Sequence, residues 1–184
     1  MGVNEVARAT NRAVFLDRDG VLNVPLVKDG KPYPPEGSDD LIIYEDALEA
    51  LEALKAAGYL LLVVTNQPDV ARGTKTRGEV EAIDRALAAV LPIDGFYVCY
   101  HDCDDCECRK PKPGLLLRAA AEHAVSLLDS FMIGDRWRDM DAGHAARVKT
   151  ILVDRRYAER GPARSPDAVV SSIGEAAYWI LHDS

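Results

Sequence analysis

Short apolar runs recur along the chain, and each ends in or next to a polar residue. They lie at 13–17, 59–66, 95–101, 130–135 and 149–154. Within each run apolar residues follow one another instead of alternating with polar ones, which is typical of parallel strands covered on both faces. The pattern therefore predicts a set of buried parallel strands.

Helical periodicity fills the stretches between these strands. Leu48, Leu51 and Leu54 share one predicted helix face, with Asp46 as the N-cap and Gly58 as the stop. A second stripe consists of Val80, Ile83, Leu87 and Val90 and ends at Pro92. A third helix is predicted to begin near residue 113 within 112–128, and a short fourth one at 139–148.

Strand and helix alternate from one end of the chain to the other, which predicts an α/β fold with a doubly wound, mainly parallel sheet. We expect residues 1–184 to form one domain. Two stretches, 24–40 and 154–168, contain many turn-forming residues and are predicted to be irregular loops. The first is too short for a large cap domain, so an active site here should be open.

Composition and charge narrow the class of protein. The chain is 48% apolar and 28% charged, as soluble globular proteins are, and its net charge of −8 argues against a general nucleic-acid or membrane surface. No apolar run approaches the length of a membrane span. The first residues lack the layout of a secretion signal, and Val6 does not fit a myristoylation motif. We expect a short lead-in to the first strand and a cytoplasmic, monomeric protein.

All the cysteines fall within residues 99–108, together with His101, directly before the basic stretch 109–114. Clustered cysteines in a cytoplasmic chain favour a metal over disulfides. A close set of thiolates and an imidazole is typical of structural zinc. The candidate ligands number more than the four places of such a site: Cys99, His101, Cys103, Cys106 and Cys108. Cys99 could alternatively be an ordinary buried strand residue.

Polar side chains end the predicted strands, where ligands bind in open parallel sheets. They are Asp17 with Asp19, Thr65 with Asn66, and Asp135, followed downstream by Lys110 and Asp139. One such acid could be a helix cap, but the whole set indicates a site. Clustered carboxylates call for a hard divalent cation such as Mg²⁺. The set suits phosphoryl transfer, with one carboxylate as nucleophile, a second as acid/base, and Lys and Thr stabilising charge.

Four segments resemble, in order, the motifs of the haloacid dehalogenase (HAD) superfamily of phosphatases: "FLDRDGVLN", "VVTN", "RKPKPG" and "MIGDRWRDMDAG". The resemblance spans about residues 13–153 and implies a Rossmann-like core. It implies Asp17 as the nucleophile, which would form an aspartyl-phosphate, and Asp19 as the general acid/base. It also implies phosphate ligands (Thr65, Asn66 and Lys110), magnesium ligands (Asp17, Asp19 through its carbonyl, and Asp135) and Asp139 as a supporting acid.

The cysteine segment resembles the zinc-binding insertion of the heptose-bisphosphate phosphatases and the related histidinol-phosphate phosphatases. That pattern matches Cys99, His101, Cys106 and Cys108 and leaves Cys103 as a spare thiol. Zinc would then stiffen the loop that presents Arg109 and Lys110.

"TNQPDVARG" resembles a heptose-bisphosphate motif, with a departure at Pro68-Asp69. It makes Arg72, with Arg109, a candidate for the substrate's distal phosphate. Asn23, Gln67 and the loop at 33–35 are further candidates for substrate contact. The predicted substrate is a phosphorylated sugar that carries two phosphates.

Three alternatives remain open at this stage. Histidinol-phosphate phosphatase is the second enzyme hypothesis. A receiver-type signalling domain also has an Asp cluster, Thr and Lys, but its phosphorylated Asp ends the third strand, where this chain has "FYVCYH". A zinc-dependent nucleic-acid binder would need a basic surface, which the net charge of −8 does not support.

Overall fold

A parallel six-stranded sheet forms the centre of the computed structural model, which describes residues 11–103 and 105–184; the predicted N-terminal lead-in lies outside these residues. Its strands are β1 (Arg12–Leu16), β4 (Tyr59–Asn66), β5 (Gly95–Cys99), β6 (Phe131–Gly134), β7 (Lys149–Val153) and β8 (Ala168–Val170). β2 (Leu26–Lys28) and β3 (Lys31–Tyr33) pair separately as an antiparallel hairpin.

The strand order is β5-β4-β1-β6-β7-β8, and every neighbouring pair is parallel. β1 is central and fully buried from Ala13 to Leu16. Its register pairs Phe15 with Leu62 of β4 and with Met132 of β6. All six strands point the same way, so their carboxyl ends form one edge, and the prediction of a doubly wound parallel sheet is confirmed.

Helices cover both faces of the sheet. They are α1 (Ala47–Ala56), α2 (Arg77–Ala88), α3 (Gly114–Glu122), α4 (Trp137–Ala146) and α5 (Ile173–His182). α1, α2 and α5 contribute to one apolar cluster, and α3 and α4 to the cluster on the opposite face. A capping box starts α2, since Thr76 Oγ1 accepts from the Glu79 amide at 3.2 Å and the Glu79 side chain accepts from the Thr76 amide.

Two predicted stripe positions are wrong. Leu48 is 40% exposed, because α1 buries Ala47, Ala50, Leu51 and Leu54, a spacing that turns Leu48 away from the core. Val90 lies beyond the end of α2 and is 54% exposed. Asp46 precedes α1 as predicted, but its carboxylate accepts from the Gly174 amide at 2.9 Å, in the first turn of α5.

The other departures concern element ends and the two predicted loops. The third helix ends at Glu122, short of the predicted 128, where Ala124 turns the backbone to φ +51°. The loop at 24–40 contains the β2–β3 hairpin, turned by Asp29-Gly30. β8 begins at the end of the second loop, and α5 was not predicted.

No cap domain is inserted in the part of the chain that the structure describes; between β1 and α1 it has only the hairpin and one short 3₁₀ turn, Ser38–Asp40. None of the helices described is both long and apolar enough to cross a membrane.

Candidate active site

The predicted acids meet at the carboxyl edge of the central strands. Asp17 follows β1, Asp135 follows β6, and Asp139 lies in the first turn of α4. One carboxylate oxygen from each of the three lies within 4.8 Å of the others. β1 and β6 are paired neighbours, which explains how residues more than a hundred positions apart come together.

Lys110 lies against two of these acids, Asp17 and Asp139, and is 2% exposed. Its Nζ donates to Val64 O at 2.7 Å and lies 3.0 Å from Asp17 Oδ1 and 2.6 Å from Asp139 Oδ1. An ammonium has three N–H donors, so these contacts use all of them and fix its position. Burial opposes its charge, but Asp139 and Asp17 raise the pKa of Lys110 above its ordinary value. Lys112, by contrast, pairs with Glu107 at the surface.

The Asp135 carboxylate is the least compensated group in the cluster. It is 4% exposed, and its oxygens make no hydrogen bond of regular geometry with the residues described. The Tyr157 hydroxyl lies beside it and lowers its pKa, but it offsets only part of the effect of burial. Burial and the neighbouring Asp17 and Asp139 raise the pKa of Asp135 well above its ordinary value. A cradle of buried, mutually repelling carboxylate oxygens fits a hard divalent cation, which would remove the repulsion.

Glycine lets the chain approach this cradle closely. Gly20 has φ +91°, and a Cβ there would meet Asp135 Oδ2 at 1.7 Å. Gly134 leaves similar room for Asp139, whose Oδ2 would lie 2.6 Å from an added Cβ. Side chains at either position would displace a carboxylate of the cluster.

Asp19 is held by neutral and cationic donors. Asn23 Nδ2 donates to its Oδ1 at 3.0 Å, Gln67 Nε2 to its Oδ2 at 2.8 Å, and Arg18 Nη2 to Oδ2 at 3.0 Å. Burial opposes ionisation, but Arg18, Asn23 and Gln67 together hold the pKa of Asp19 below its ordinary value. Asn23 and Gln67, both candidates for substrate contact, thus position a carboxylate in this structure.

Arg18 was not singled out from the sequence, yet its side chain is fully buried. Its Nη1 donates to Asp84 Oδ1 of α2 at 2.9 Å, while the other edge of the guanidinium faces Asp19. Asp84 is 7% exposed. The position of Arg18 between two acids in "DRDG" could have marked it as a candidate in the sequence. Its partner on α2 could be found only in the folded chain.

Asn66 braces the lysine. Its Nδ2 donates to Lys110 O at 2.9 Å, and the Lys110 amide donates to Asn66 Oδ1 at 3.1 Å. Thr65 Oγ1 accepts from Gln67 Nε2 at 3.0 Å. Thr65 and Asn66 both line the cavity above Asp17, and their phosphate contacts stay a prediction.

A cavity of about 310 Å³ opens above these groups. Asp17, Asp19, Lys110 and Asp139 are among the residues that line it. The hairpin contributes Lys31, Pro32 and Tyr33, with Pro34 next to them, and further cationic side chains come from Arg72, Arg109, Arg136 and Arg138. The cavity therefore combines a carboxylate–lysine cluster with several cations, which suits an anionic ligand larger than one phosphate.

Arg72 and Arg109, predicted to face a distal phosphate, converge on one carboxylate. Arg72 donates to Asp102 through Nε at 2.7 Å and Nη2 at 2.6 Å. Arg109 Nη1 donates to His101 O at 2.6 Å, and its Nη2 lies 3.6 Å from Asp102 Oδ1. Asp102 was not among the predicted site residues, since one acid in an acidic loop carries no distinguishing signal.

The predicted zinc ligands form a compact group. Cys99 Sγ lies 3.8 Å from Cys106 Sγ, 3.2 Å from Cys108 Sγ and 3.6 Å from His101 Nδ1. Tetrahedral zinc with Zn–S near 2.3 Å would separate its sulfur ligands by about 3.8 Å, which the Cys99–Cys106 distance matches, while Cys99 and Cys108 lie closer together. The donor set, three thiols and an imidazole, is one that suits structural zinc. Cys103 is exposed and outside the group.

The chain is similar to known phosphatases. A family model described as HAD-hydrolase-like matches residues 107–176. The D-glycero-β-D-manno-heptose-1,7-bisphosphate 7-phosphatase of Helicobacter pylori strain J99 is 37% identical over 180 residues, covering 93% of this chain and 98% of that protein. The protein of the same name from Pasteurella multocida is 43% identical over 155 residues, covering 77% and 81% respectively.

A solved structure is similar over nearly the whole chain. The D,D-heptose 1,7-bisphosphate phosphatase of B. bronchiseptica, complexed with magnesium and phosphate, matches with a TM-score of 0.80 at 30% identity, covering 94% of this chain and 99% of that one. The chain therefore belongs to the HAD-type phosphatases, in the family of the heptose-1,7-bisphosphate 7-phosphatases.

Proposed function

We propose that this protein removes the 7-phosphate of D-glycero-D-manno-heptose 1,7-bisphosphate through an aspartyl-phosphate on Asp17. The observation that carries the proposal is that one cavity holds both the carboxylate–lysine cluster and the Arg72–Arg109 pair. The first suits the reacting phosphate and the second a remote one. The identity of the sugar is taken from relatives that match over more than nine-tenths of the chain and are named for heptose 1,7-bisphosphate.

In the first half-reaction a carboxylate oxygen of Asp17 attacks phosphorus, and the bond from phosphorus to the sugar oxygen breaks. Asp19 gives a proton to that departing oxygen. Lys110 and Thr65 stabilise charge on the phosphoryl oxygens. Lys110 is suited to this because its contacts with Val64 O and Asp139 hold the ammonium beside Asp17.

In the second half-reaction Asp19 accepts a proton from water, whose oxygen attacks phosphorus. The bond between phosphorus and Asp17 breaks, which releases inorganic phosphate and restores the carboxylate. The donors on Asp19 favour its ionised form, the form that can accept this proton.

Magnesium fits the cradle formed by the carboxylates of Asp17 and Asp135 with the Asp19 carbonyl, supported by Asp139. The buried Asp135 carboxylate supports this assignment, because the neighbouring Tyr157 hydroxyl compensates its charge only in part. When bound, the ion would neutralise the carboxylates and withdraw charge from the phosphoryl oxygens.

Structural zinc fits Cys99, His101, Cys106 and Cys108, with Cys103 as the spare thiol. This group lies directly before Arg109 and Lys110, so a closed loop would present both cations in position. Pre-organisation of this kind lowers the free-energy cost of binding. We propose a cytoplasmic monomer, since a small phosphorylated sugar is the only partner that the site requires.

Histidinol phosphate is the competing substrate. It carries a single phosphate and a cationic amine, which the cations along the cavity would disfavour. A receiver domain would keep its phosphoryl group and show no turnover.

Phosphate release from heptose 1,7-bisphosphate, heptose 7-phosphate and histidinol phosphate tests the proposal. We expect the highest kcat/KM for the bisphosphate. Equal efficiency with the 7-monophosphate, or a preference for histidinol phosphate, would contradict the assignment of substrate.

A further inference from the structure

Asp102 joins two loops that are distant in sequence. It lies beside His101 in the cysteine segment, and it accepts two hydrogen bonds from Arg72, which belongs to the turn after β4. This two-point contact fixes the plane of the guanidinium, which a single contact would leave free to rotate.

The same carboxylate also faces Arg109. The Nη2 of Arg109 lies 3.6 Å from Asp102 Oδ1, and its Nη1 is held by the carbonyl of the neighbouring residue, His101. Both arginines line the active-site cavity, whereas Asp102 is absent from its lining. Asp102 therefore meets the two cations from outside the space that a ligand would fill.

We propose that Asp102 is a positioning residue for bisphosphate specificity, holding Arg72 and Arg109 at one fixed separation to receive the phosphate remote from Asp17. This inference rests on the proposed function. Long arginine side chains lose conformational freedom when they bind an anion, and a carboxylate that orders them beforehand reduces that loss. Asp102 thus holds two cations from separate loops together as one subsite.

Simple electrostatics makes the opposite prediction, so the direction in which bisphosphate binding changes can test the proposal. Removing a negative charge beside an anion site should strengthen phosphate binding if only the field matters. If positioning dominates, the same removal should weaken binding of the bisphosphate. The direction of the change therefore separates the two effects.

Asp69 provides a matched control. Its Oδ1 lies 3.4 Å from Arg72 Nη1, and it lines the cavity. Asp69→Asn removes the same charge from beside the same arginine but leaves the two-point contact with Asp102 intact. Both Asp69 and Asp102 are partly exposed, so neither substitution should prevent folding.

The experiment compares kcat/KM for heptose 1,7-bisphosphate and heptose 7-phosphate in the wild type, Asp102→Asn and Asp69→Asn. For Asp102→Asn we expect the bisphosphate value to fall about three- to tenfold, part of the loss expected for one charge-assisted contact. The 7-monophosphate value should stay within about twofold. Asp69→Asn removes only the weaker 3.4 Å contact with Arg72, so its bisphosphate value should fall less than that of Asp102→Asn or should rise.

An unchanged or higher bisphosphate value in Asp102→Asn would overturn the inference, and so would equal losses on both substrates. Wild-type protein without a preference for the bisphosphate would refute the proposed function, and the inference with it, before any variant is compared. Asp102→Glu keeps the carboxylate and should recover part of the preference.

Discussion

At the scale of single residues, two aspartates only two positions apart have opposite environments. Burial, opposed by Lys110 and reinforced by Asp139 and Asp19, raises the pKa of Asp17 to about 6. Burial also acts on Asp19, but donors from Arg18, Asn23 and Gln67 lower its pKa. The first carboxylate depends on cations to stay ionised, whereas hydrogen bonds favour the ionised form of the second in the free enzyme, so Asp19 must take up a proton before it can act as the acid.

Replacing each of the two aspartates by asparagine should therefore have different effects on activity. Asp17→Asn should abolish turnover while the fold is kept, since an amide is a poor nucleophile. Asp19→Asn should lower the rate of sugar-phosphate hydrolysis by about a hundredfold or more. It should retain more activity on an aryl phosphate, whose leaving group needs less acid assistance. Steady-state assays with both substrates measure this, and near-normal activity of Asp17→Asn would refute its role as nucleophile.

Asp135 provides a test of the cation site that does not depend on turnover. Its raised pKa means that the ionised carboxylate opposes folding, so without a cation the wild type should lose stability as pH rises above about 4. Asp135→Asn should lose less stability over the same pH range. Its melting temperature at neutral pH without Mg²⁺ should be higher than that of the wild type. Thermal unfolding with and without Mg²⁺ should show a stabilising shift in the wild type alone; an equal shift in the variant would contradict the assignment.

At the scale of elements, helix α2 reaches the active site through a buried ion pair. Asp84 on α2 holds Arg18, which in turn holds Asp19. The Arg18 side chain is fully buried, so it has no water as an alternative partner, and the Asp84 side chain is only 10% exposed. The pair therefore links the position of α2 to the acid/base residue.

Replacing Asp84 on α2 should lower both the stability of the protein and its kcat. Asp84→Ala leaves Arg18 partly unpaired in the interior and should destabilise the protein by about 3 kcal/mol. Its kcat should fall, while KM should change less, because Asp19 is displaced. Denaturant unfolding and kinetics measure the two effects. Glu81→Gln, which breaks an exposed pair with Arg77 on the same helix, should change neither.

The cysteine segment is the second element on which the site depends. Cys106→Ser should reduce zinc content well below the expected one ion per chain. KM for the bisphosphate should rise about tenfold or less, as Arg109 loses its fixed position, while the melting temperature of the core should change little. Elemental analysis and kinetics measure this, with Cys103→Ser as the control that keeps both zinc and KM. Wild-type protein purified without zinc would refute the proposed structural zinc site.

At the scale of the whole molecule, an acidic protein carries a cation-lined cavity at one edge of its sheet. The net charge of −8 is spread over the chain, whereas Arg72, Arg109, Arg136, Arg138 and Lys31 all line that cavity. A phosphorylated sugar would therefore meet an attractive potential at this cavity. The parallel sheet creates this separation, because all its carboxyl ends form one edge.

The carboxylate cradle at this edge should discriminate between cations. Mg²⁺ should support activity, and Ca²⁺ should inhibit it, because Ca²⁺ accepts more and longer oxygen contacts and would engage both oxygens of Asp17. Phosphate release at fixed Mg²⁺ and rising Ca²⁺ measures this. Full activity after treatment with a strong chelator would contradict a metal requirement.

Local signals in the sequence were enough to predict the fold class and the main candidates for the site. Apolar runs such as 59–66 mark buried strands because only a covered parallel strand tolerates unbroken apolar sequence. Asp17, Asp135 and Lys110 could be expected together because each follows or lies beyond a strand of one parallel sheet. These are local signals that the sheet geometry then brings together.

The distant residues that hold those candidates in place became apparent only in the folded chain. Nothing near Asp84 in sequence indicates a partnership with Arg18, and Asp102 resembles any other loop acid until Arg72 folds against it. Leu48 likewise fits a helical stripe but faces outward, because the packing of α1 selects one of two overlapping faces. Periodicity and motif spacing depend on neighbours along the chain, whereas ion pairs and helix orientation depend on long-range contacts that form when the layers pack.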